Sequence, residues 1–409
     1  MSSAATPKLE RFTSIDTLRG FAVLGILMMN IQGFAMVMQA YGYPLAHMDF
    51  SGANRDAWFY SHVFFAMKAM TIFSTLFGAG IVLFLGEEKQ ARIGLHYSRM
   101  IWLLLIGFLH AWVFWWGDIL VPYAIMGMIV VWARRMPVAG LLILGIILIA
   151  LTGALGAVGM SFMPAMPEDQ LQAMMMPTAD MVAENVALYQ QGFLARLPYN
   201  FSTAITAETM QVTFFAPRLA GAMLVGMALF KMGFLTLRWS AAHYAIAAVI
   251  SLGIGLPATW WGTMHHLEAN FALDQYWVGE TVNYFMSPVV AFGYGAVVML
   301  ACKTGLFRML LYPFTAAGRM AFTNYLTQTL TMTFLFVGAP GLGWIGTVER
   351  AEQVQIVLIV WLVQLIVSPL WLSVFRFGPF EWLWRSLTYL RFQPLVKPAA
   401  RSAGAPPVG

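Results

Sequence analysis

The chain has 409 residues, of which 60% are hydrophobic and only 10% charged, with a mean hydropathy of +0.72. A soluble domain carries about 25% charged residues, so this composition excludes a water-solvated globule and makes the bilayer the solvent for most of the chain. The net charge of +5 reflects how the basic residues are placed along the chain, and it is no nucleic-acid footprint.

Hydropathy predicts ten spans. In chain order they are Leu18–Met38, Trp58–Leu85, Met100–Trp116, Ile119–Trp132, Val138–Met163, Val212–Phe230, Ser240–Gly262, Thr281–Cys302, Met320–Gly338 and Val354–Phe375. Most approach the ~20 residues a helix needs to cross the hydrocarbon core. The first is longer than a signal-peptide core, no A-x-A site follows it, and it reads as a retained helix. The third and fourth form a short hairpin turned at Gly117-Asp118, with Trp112, Trp115 and Trp116 expected as an interfacial belt. Asp118 is expected to cap the fourth helix, with Pro122 in its first turn. Between the fifth and sixth spans lies the longest outer segment, 164–210. Within it Val182, Val186, Tyr189, Phe193 and Leu197 recur at helical spacing and end at Pro198, which predicts an amphipathic helix on the outer surface.

Charge sets the orientation. Eighteen of the 23 basic residues fall in every second gap between spans, from Lys8, Arg11 and Arg19 to Arg376, Arg385, Arg391, Lys397 and Arg401. Thirteen of the 18 acids fall in the other gaps. By the positive-inside rule both termini are cytoplasmic. The expected fold class is therefore all-α: a polytopic integral membrane helix bundle of about ten transmembrane helices. Residues 1–393 form a single membrane domain, and 394–409, rich in Pro, Ala and Gly, form a disordered cytoplasmic tail. Cys302 is the only cysteine, so no intramolecular disulfide and no cysteine metal cluster is expected. His265-His266-x-Glu268 is an outer cluster without an evident fourth ligand, and no metal or prosthetic group is implied. His47 and His62 read as outer interface residues.

Ionisable residues inside spans are costly and usually functional. At ~1.5 Å of rise per residue, Asn30, Lys68 and His110 each lie roughly 15–18 Å from a helix end, near one plane. Gln328 and Gln364 fall at a similar level, and Arg218 lies nearer the outer face. This predicts a polar layer in which Asn30, Lys68 and His110 share one cavity, while the Asn and Gln residues read equally well as interhelical hydrogen bonds. Along the helix axis Asp118 is about 12 Å from His110, so a direct bond is expected only if the hairpin tip folds inward. Asp16 and Arg19 sit at the inner mouth, as a helix-end ion pair or with Arg19 meeting an anionic ligand. Gly78 and Gly80 suit close helix packing.

Five stretches together carry a family resemblance: Ser14-Ile-Asp-Thr-Leu-Arg-Gly-Phe-Ala22 leading to Asn30, Lys68 through Gly80, Gly107-Phe-Leu-His-Ala followed by Gly117-Asp-Ile-Leu, Gly318-Arg-Met-Ala-Phe-Thr-Asn324-Tyr-Leu-Thr-Gln328, and Gly378-Pro-Phe-Glu-Trp-Leu-Trp-Arg385. They resemble the YeiB-like bacterial membrane proteins that carry domain of unknown function 418, over nearly the whole chain. The resemblance implies a multi-pass protein of the bacterial plasma (inner) membrane. More distantly, Arg19 and Asn30, ten residues between them, are similar to the first helix of the heparan-glucosaminide acetyltransferase group. The acyltransferase-3 family is similar there too, with a histidine where this chain has Asn30.

That likeness implies a transmembrane acyltransferase. A cytoplasmic thioester donor, acyl-CoA, would enter past Arg19, with an envelope glycan or lipid as acceptor. His110 would be the general base, and Lys68 and Asn30 would stabilise the oxyanion or orient the donor. Asp16, Arg19, Asp118, Arg218, Asn324 and Gln328 would bind substrate. Two other readings stay open: a transporter or flippase for an anionic or amphipathic solute with Lys68 and Arg218 as counter-charges, and a non-catalytic scaffold or sensor. Membrane lipid is the expected partner, with no nucleic acid.

Overall fold

The structure, a computed structural model, describes residues 12–86 and 92–397. Parts of the basic clusters, including Lys8, Arg11, Lys89 and Arg401, lie outside the described residues. The described chain is helical, with one isolated bridge between Phe375 and Val396. The bundle is an all-α polytopic membrane fold. Its principal helices are α1 (Thr13–Ala35), α2 (Gly52–Phe64), α3 (Lys68–Leu85), α4 (Ile93–Leu109), α5 (Leu120–Val130), α6 (Val138–Ser161), α7 (Ala179–Gln191) and α8 (Phe193–Met210). They continue as α9 (Ala216–Lys231), α10 (Ala241–Glu268), α11 (Leu273–Thr304), α12 (Arg308–Arg319), α13 (Ala321–Phe336), α14 (Arg350–Val374) and α15 (Pro379–Thr388).

Among the described residues, eight helical stretches are long and apolar enough to cross a bilayer. Two of the ten predicted spans are shorter: α5 has 11 residues and α13 has 16. Both are mostly buried against neighbouring helices, with Ile129 of α5 and Leu330 and Phe334 of α13 exposed. α1 is the hub, in contact with α3, α12, α13 and α14, and it is buried along nearly its whole length. By contrast α6 and α14 expose Ile143, Ile147, Leu151, Leu358, Leu362 and Ile366. Exposed apolar faces on fully hydrogen-bonded helices are what a lipid-facing surface requires.

Backbones approach closely where glycines allow it. A Cβ on Gly20 would lie 2.0 Å from the Phe314 carbonyl oxygen, and one on Gly318 1.8 Å from that of Asp16, so α1 and α12 touch main chain to main chain. Gly78 packs α3 on α9 in the same way, against Met223. Gly80 does not: a Cβ there would meet nothing within 4 Å.

Several expectations are corrected. The second span is two helices, broken at 65–67, where Met67 takes a left-handed φ of 63°. Pro198 does not end the outer amphipathic helix. Gly192, at φ 125°, ends α7, and Pro198 lies inside α8, which runs on through Gln211–Phe215 to Lys231. Val182 and Val186 of α7 pack on the buried core below, so this helix covers the bundle. Trp115 and Trp116 are buried against α1 beside Gly33 and Phe34, leaving Trp112 alone of the three half-buried. Residues 395–397 are tied to the end of α14, unlike the expectation for 394–409. The Arg376 N–H donates to the Leu395 carbonyl and the Lys397 N–H to that of Val374, while the Lys397 ammonium caps the last carbonyls of α14. Residues 398–409 lie outside the described residues.

Candidate functional site

The α4 helix does not end at His110 in the usual way. Residues His110–Phe114 form a π-helical turn, closed by the Trp115 N–H donating to the His110 carbonyl at 3.0 Å. Such a turn shifts the register and frees carbonyls, which inside a membrane must find other donors. α8 supplies them. The Asn200 amide donates to Ala111 O at 2.9 Å and Trp112 O at 2.8 Å, and the Arg196 guanidinium donates to Phe114 O at 2.8 Å. The Arg196 head is further held by the Asn200 side-chain oxygen and the Tyr189 and Phe193 rings.

This register change folds the hairpin tip inward. His110 Nδ1 lies 2.6 Å from Asp118 Oδ1, and Asp118 Oδ2 accepts the Val121 N–H at 2.8 Å. The direct bond thus forms under the condition expected for it, an inward-folded tip, and Asp118 caps α5 as expected. His110 Nε2 lies 2.9 Å from the Thr329 hydroxyl on α13. An ionised carboxylate only accepts, so Asp118 Oδ1 accepts a hydrogen bond from Nδ1–H, which leaves Nε2 as the ring nitrogen that faces Thr329. His110, Asp118 and Thr329 are all buried. Glu208 on α8 is buried with neither carboxyl oxygen hydrogen-bonded, and it lies within electrostatic range of Asp118. A second π-helical turn, Gln211–Phe215, follows it directly.

A cavity of about 210 Å³ reaches toward this pair from the basic face. Arg19, Arg99 and Arg319 line it together with Glu381 and His96. Its walls are apolar, among them Phe73, Phe77, Leu103 and Leu120, and Gly80 opens space along α3. Tyr123 and Tyr325 line it too, and the Tyr325 ring packs on the His110 ring at 5.3 Å between centroids. The Tyr325 hydroxyl is buried without a hydrogen-bond partner of good geometry. Arg19 also pairs with Asp16 at 2.8 Å, and Arg99 stacks on Trp384 at 4.3 Å. Arg19 is thus a helix-end ion pair that also lines the cavity.

The predicted polar layer resolves into separate clusters. Asn30, Lys68 and His110 do not line the cavity together, and none of the three is among its lining residues. Asn30 is half-buried on α1. Lys68 is fully buried, donating to the His62 carbonyl at 3.1 Å and the Asn283 side chain at 2.5 Å. Arg218 donates to Ser287 Oγ at 2.6 Å and Tyr284 O at 3.2 Å, and lies over the Tyr284 ring. Lys68 and Arg218 thus share α11 as their acceptor. Asn324, Gln328 and Gln364 form interhelical bonds: Gln328 to Gln364 Oε1 at 2.8 Å, Gln364 to Asn324 O at 3.0 Å and Asn324 to Ser368 at 3.2 Å.

Thr329, Tyr325, Glu208, Arg99 and Arg319 at or near this site were not singled out from sequence, nor were Asn200 and Arg196. Glu208 lies outside the hydropathy span, which begins at Val212, whereas the helical stretch that carries it runs from Phe193 to Lys231.

The fold and site define a polytopic helical membrane protein with a buried histidine–carboxylate pair beyond a basic-mouthed apolar cavity. The chain belongs to the family described as "Protein of unknown function (DUF418)", whose pattern matches residues 229–391. It is 33% identical over 407 residues to the Bacillus subtilis (strain 168) "Uncharacterized protein YxaH", covering 95% of this chain and 96% of that protein. It is 30% identical over 409 residues to the Escherichia coli (strain K12) "Uncharacterized protein YeiB", covering 96% of this chain and 100% of that protein. A Bacillus acidopullulyticus relative, "Uncharacterized 39.9 kDa protein in amylase 3'region", is 27% identical over 393 residues, covering 95% of this chain and 96% of that protein. No solved structure matches the chain.

Proposed function

We propose that the protein is a transmembrane acyltransferase of the bacterial plasma membrane that uses a cytoplasmic acyl-thioester donor. The observation that carries this reading is the cavity: guanidinium groups of Arg19, Arg99 and Arg319 at its basic end, apolar walls, and the Tyr325 ring between it and His110. Such a site suits an anionic carrier with an apolar acyl arm. Its volume accommodates the acyl end, with the charged remainder of acyl-CoA held at the arginines and beyond.

In this scheme the acceptor hydroxyl takes the place that the Thr329 hydroxyl marks beside His110 Nε2. As its oxygen attacks the thioester carbonyl, His110 Nε2 takes the proton, and Asp118 stabilises the imidazolium. The new C–O bond forms, the C–S bond breaks, and the proton passes from His110 to the departing thiolate. The Tyr325 hydroxyl, beside the His110 ring, would donate to the oxyanion. Lys68 and Asn30 have no part in this step. The acceptor is an envelope glycan or lipid reached from the outer side.

Transport with Lys68 and Arg218 as counter-charges is less well supported. Both cations are engaged by neutral oxygens and neither lines the cavity.

The test is purified protein in nanodiscs with radiolabelled acyl-CoA and an envelope extract. Label transfer that disappears in His110→Ala is the expected result. No donor binding and no transfer to any envelope fraction would overturn the proposal.

A further inference from the structure

A second cluster of chemistry-bearing side chains lies at the ends of α2 and α10 and in α11, on residues other than those of the His110 site. His62 at the end of α2, His266 near the end of α10 and Glu280 in α11 each aim one ligand atom at the same point, and these atoms all lie within 4.8 Å of one another. His62 Nε2 is 3.7 Å and His266 Nε2 3.4 Å from Glu280 Oε1. Both imidazoles are more than nine-tenths buried, and beyond their approach to Glu280 neither Nε2 has a hydrogen bond of good geometry; nor does His266 Nδ1. Buried imidazole nitrogens without well-formed hydrogen bonds are costly, and one cation shared by the two imidazoles and the Glu280 carboxylate would satisfy all three groups at once.

The geometry points to a divalent transition-metal site, best suited to Zn²⁺, held by His62, His266 and Glu280. Bonds of ~2.0–2.1 Å in tetrahedral array put ligand atoms about 3.3 Å apart, close to the 3.4 and 3.7 Å found here. Two imidazoles and one carboxylate are a ligand set that favours zinc and leaves a fourth position open. The rings are already oriented. Trp58 stacks on His62 at 5.0 Å between centroids, and Phe271 lies parallel to His266 at 5.7 Å. Gly279 makes the room: a Cβ there would stand 2.4 Å from His266 Nε2. Lys68 grips the His62 carbonyl, fixing the backbone that carries the ligand. The sequence cluster His265-His266-x-Glu268 contributes only His266. His265 stacks on Trp261, and Glu268 is exposed.

The experiment uses the full chain in detergent with its affinity tag removed. After EDTA treatment and desalting, Zn²⁺ or Co²⁺ is added, unbound metal is removed, and the metal-to-protein ratio is read by elemental mass spectrometry, with Co²⁺ absorption bands reporting geometry. The expected result is about one equivalent per chain. His266→Ala and Glu280→Gln should each lose it, or weaken it by more than ~100-fold, beyond the cost of removing a mere supporting residue. His265→Ala should keep it. Glu280→Gln is nearly isosteric and keeps the test meaningful if His266→Ala does not fold. No bound metal in the wild type, or wild-type stoichiometry and affinity in a folded Glu280→Gln variant, would overturn the proposal.

Discussion

The Glu381 carboxylate caps the helix of which Thr323 is the third residue. Its Oε1 accepts the Phe322 N–H at 2.7 Å and the Thr323 N–H at 3.0 Å, and its Oε2 accepts the Thr323 hydroxyl at 2.5 Å. The Phe380 N–H donates back to Thr323 Oγ1 at 3.1 Å. An acid from α15 therefore completes the N-terminus of α13, where orphan N–H groups and the helix dipole favour negative charge. This ties together the two late sequence stretches, Gly318–Gln328 and Gly378–Arg385. Glu381→Ala should destabilise the protein by ~1–2 kcal/mol, as loss of a cap does, read as a lower unfolding temperature in detergent. An unchanged midpoint would mean that water replaces the carboxylate at no cost.

The π-helical turn depends on α8. Asn200→Ala leaves the carbonyls of Ala111 and Trp112 without their donor. Each unsatisfied buried group costs ~1–3 kcal/mol, so this variant should be among the least stable single-residue changes outside the apolar core. Asn200→Asp, which only accepts when ionised, should be no better. Thermal unfolding followed by circular dichroism decides it.

His47 makes stability pH-dependent. Its ring accepts the Val37 N–H, and burial first and the Arg350 charge second push its pKa from 6.5 down to about 4. Between those values the unfolded chain binds a proton that the folded chain refuses. Stability is therefore full above the unfolded value and falls as pH drops toward the folded one. The slope of unfolding temperature between pH 7 and 5 should flatten in His47→Asn, whose amide oxygen can still accept from Val37.

Gly80 tests whether the cavity binds the donor. A side chain there meets open space, so Gly80→Phe should leave unfolding temperature unchanged or slightly raised, since glycine is a poor helix former. The same change should weaken donor binding by at least about tenfold, ~1.4 kcal/mol. Full donor affinity in Gly80→Phe would move the donor site elsewhere.

His110 separates chemistry from architecture. As a general base, its loss in His110→Ala or His110→Gln should cost ~10²–10⁴-fold in transfer rate, with folded protein retained in the membrane. Asp118→Asn should follow, because an amide no longer holds the Nδ1 proton as a carboxylate does. As a purely structural hydrogen-bond partner of Thr329, His110 would be replaced by Gln with little loss of stability or transfer, since Gln also donates and accepts.

The sequence by itself determined the solvent of this chain and the rough position of most of its bilayer-length helices, and it pointed to His110, Arg19 and Asp118 only one at a time. Those properties follow from hydropathy and charge read along the chain, which is a coordinate of depth. Depth carries no information about azimuth. Lys68 and His110 lie at similar depth, yet one faces α11 and the other Thr329 on α13. The π-helical turn at His110 has no local signature, because its freed carbonyls are satisfied by Asn200 and Arg196, some 90 residues on. Likewise His62, His266 and Glu280 come from three helices, and only packing around Gly279 aims them at one point. Tertiary structure decided these features because inside a membrane each buried polar group must find its partner across helix interfaces, and those interfaces are set by which backbones can touch.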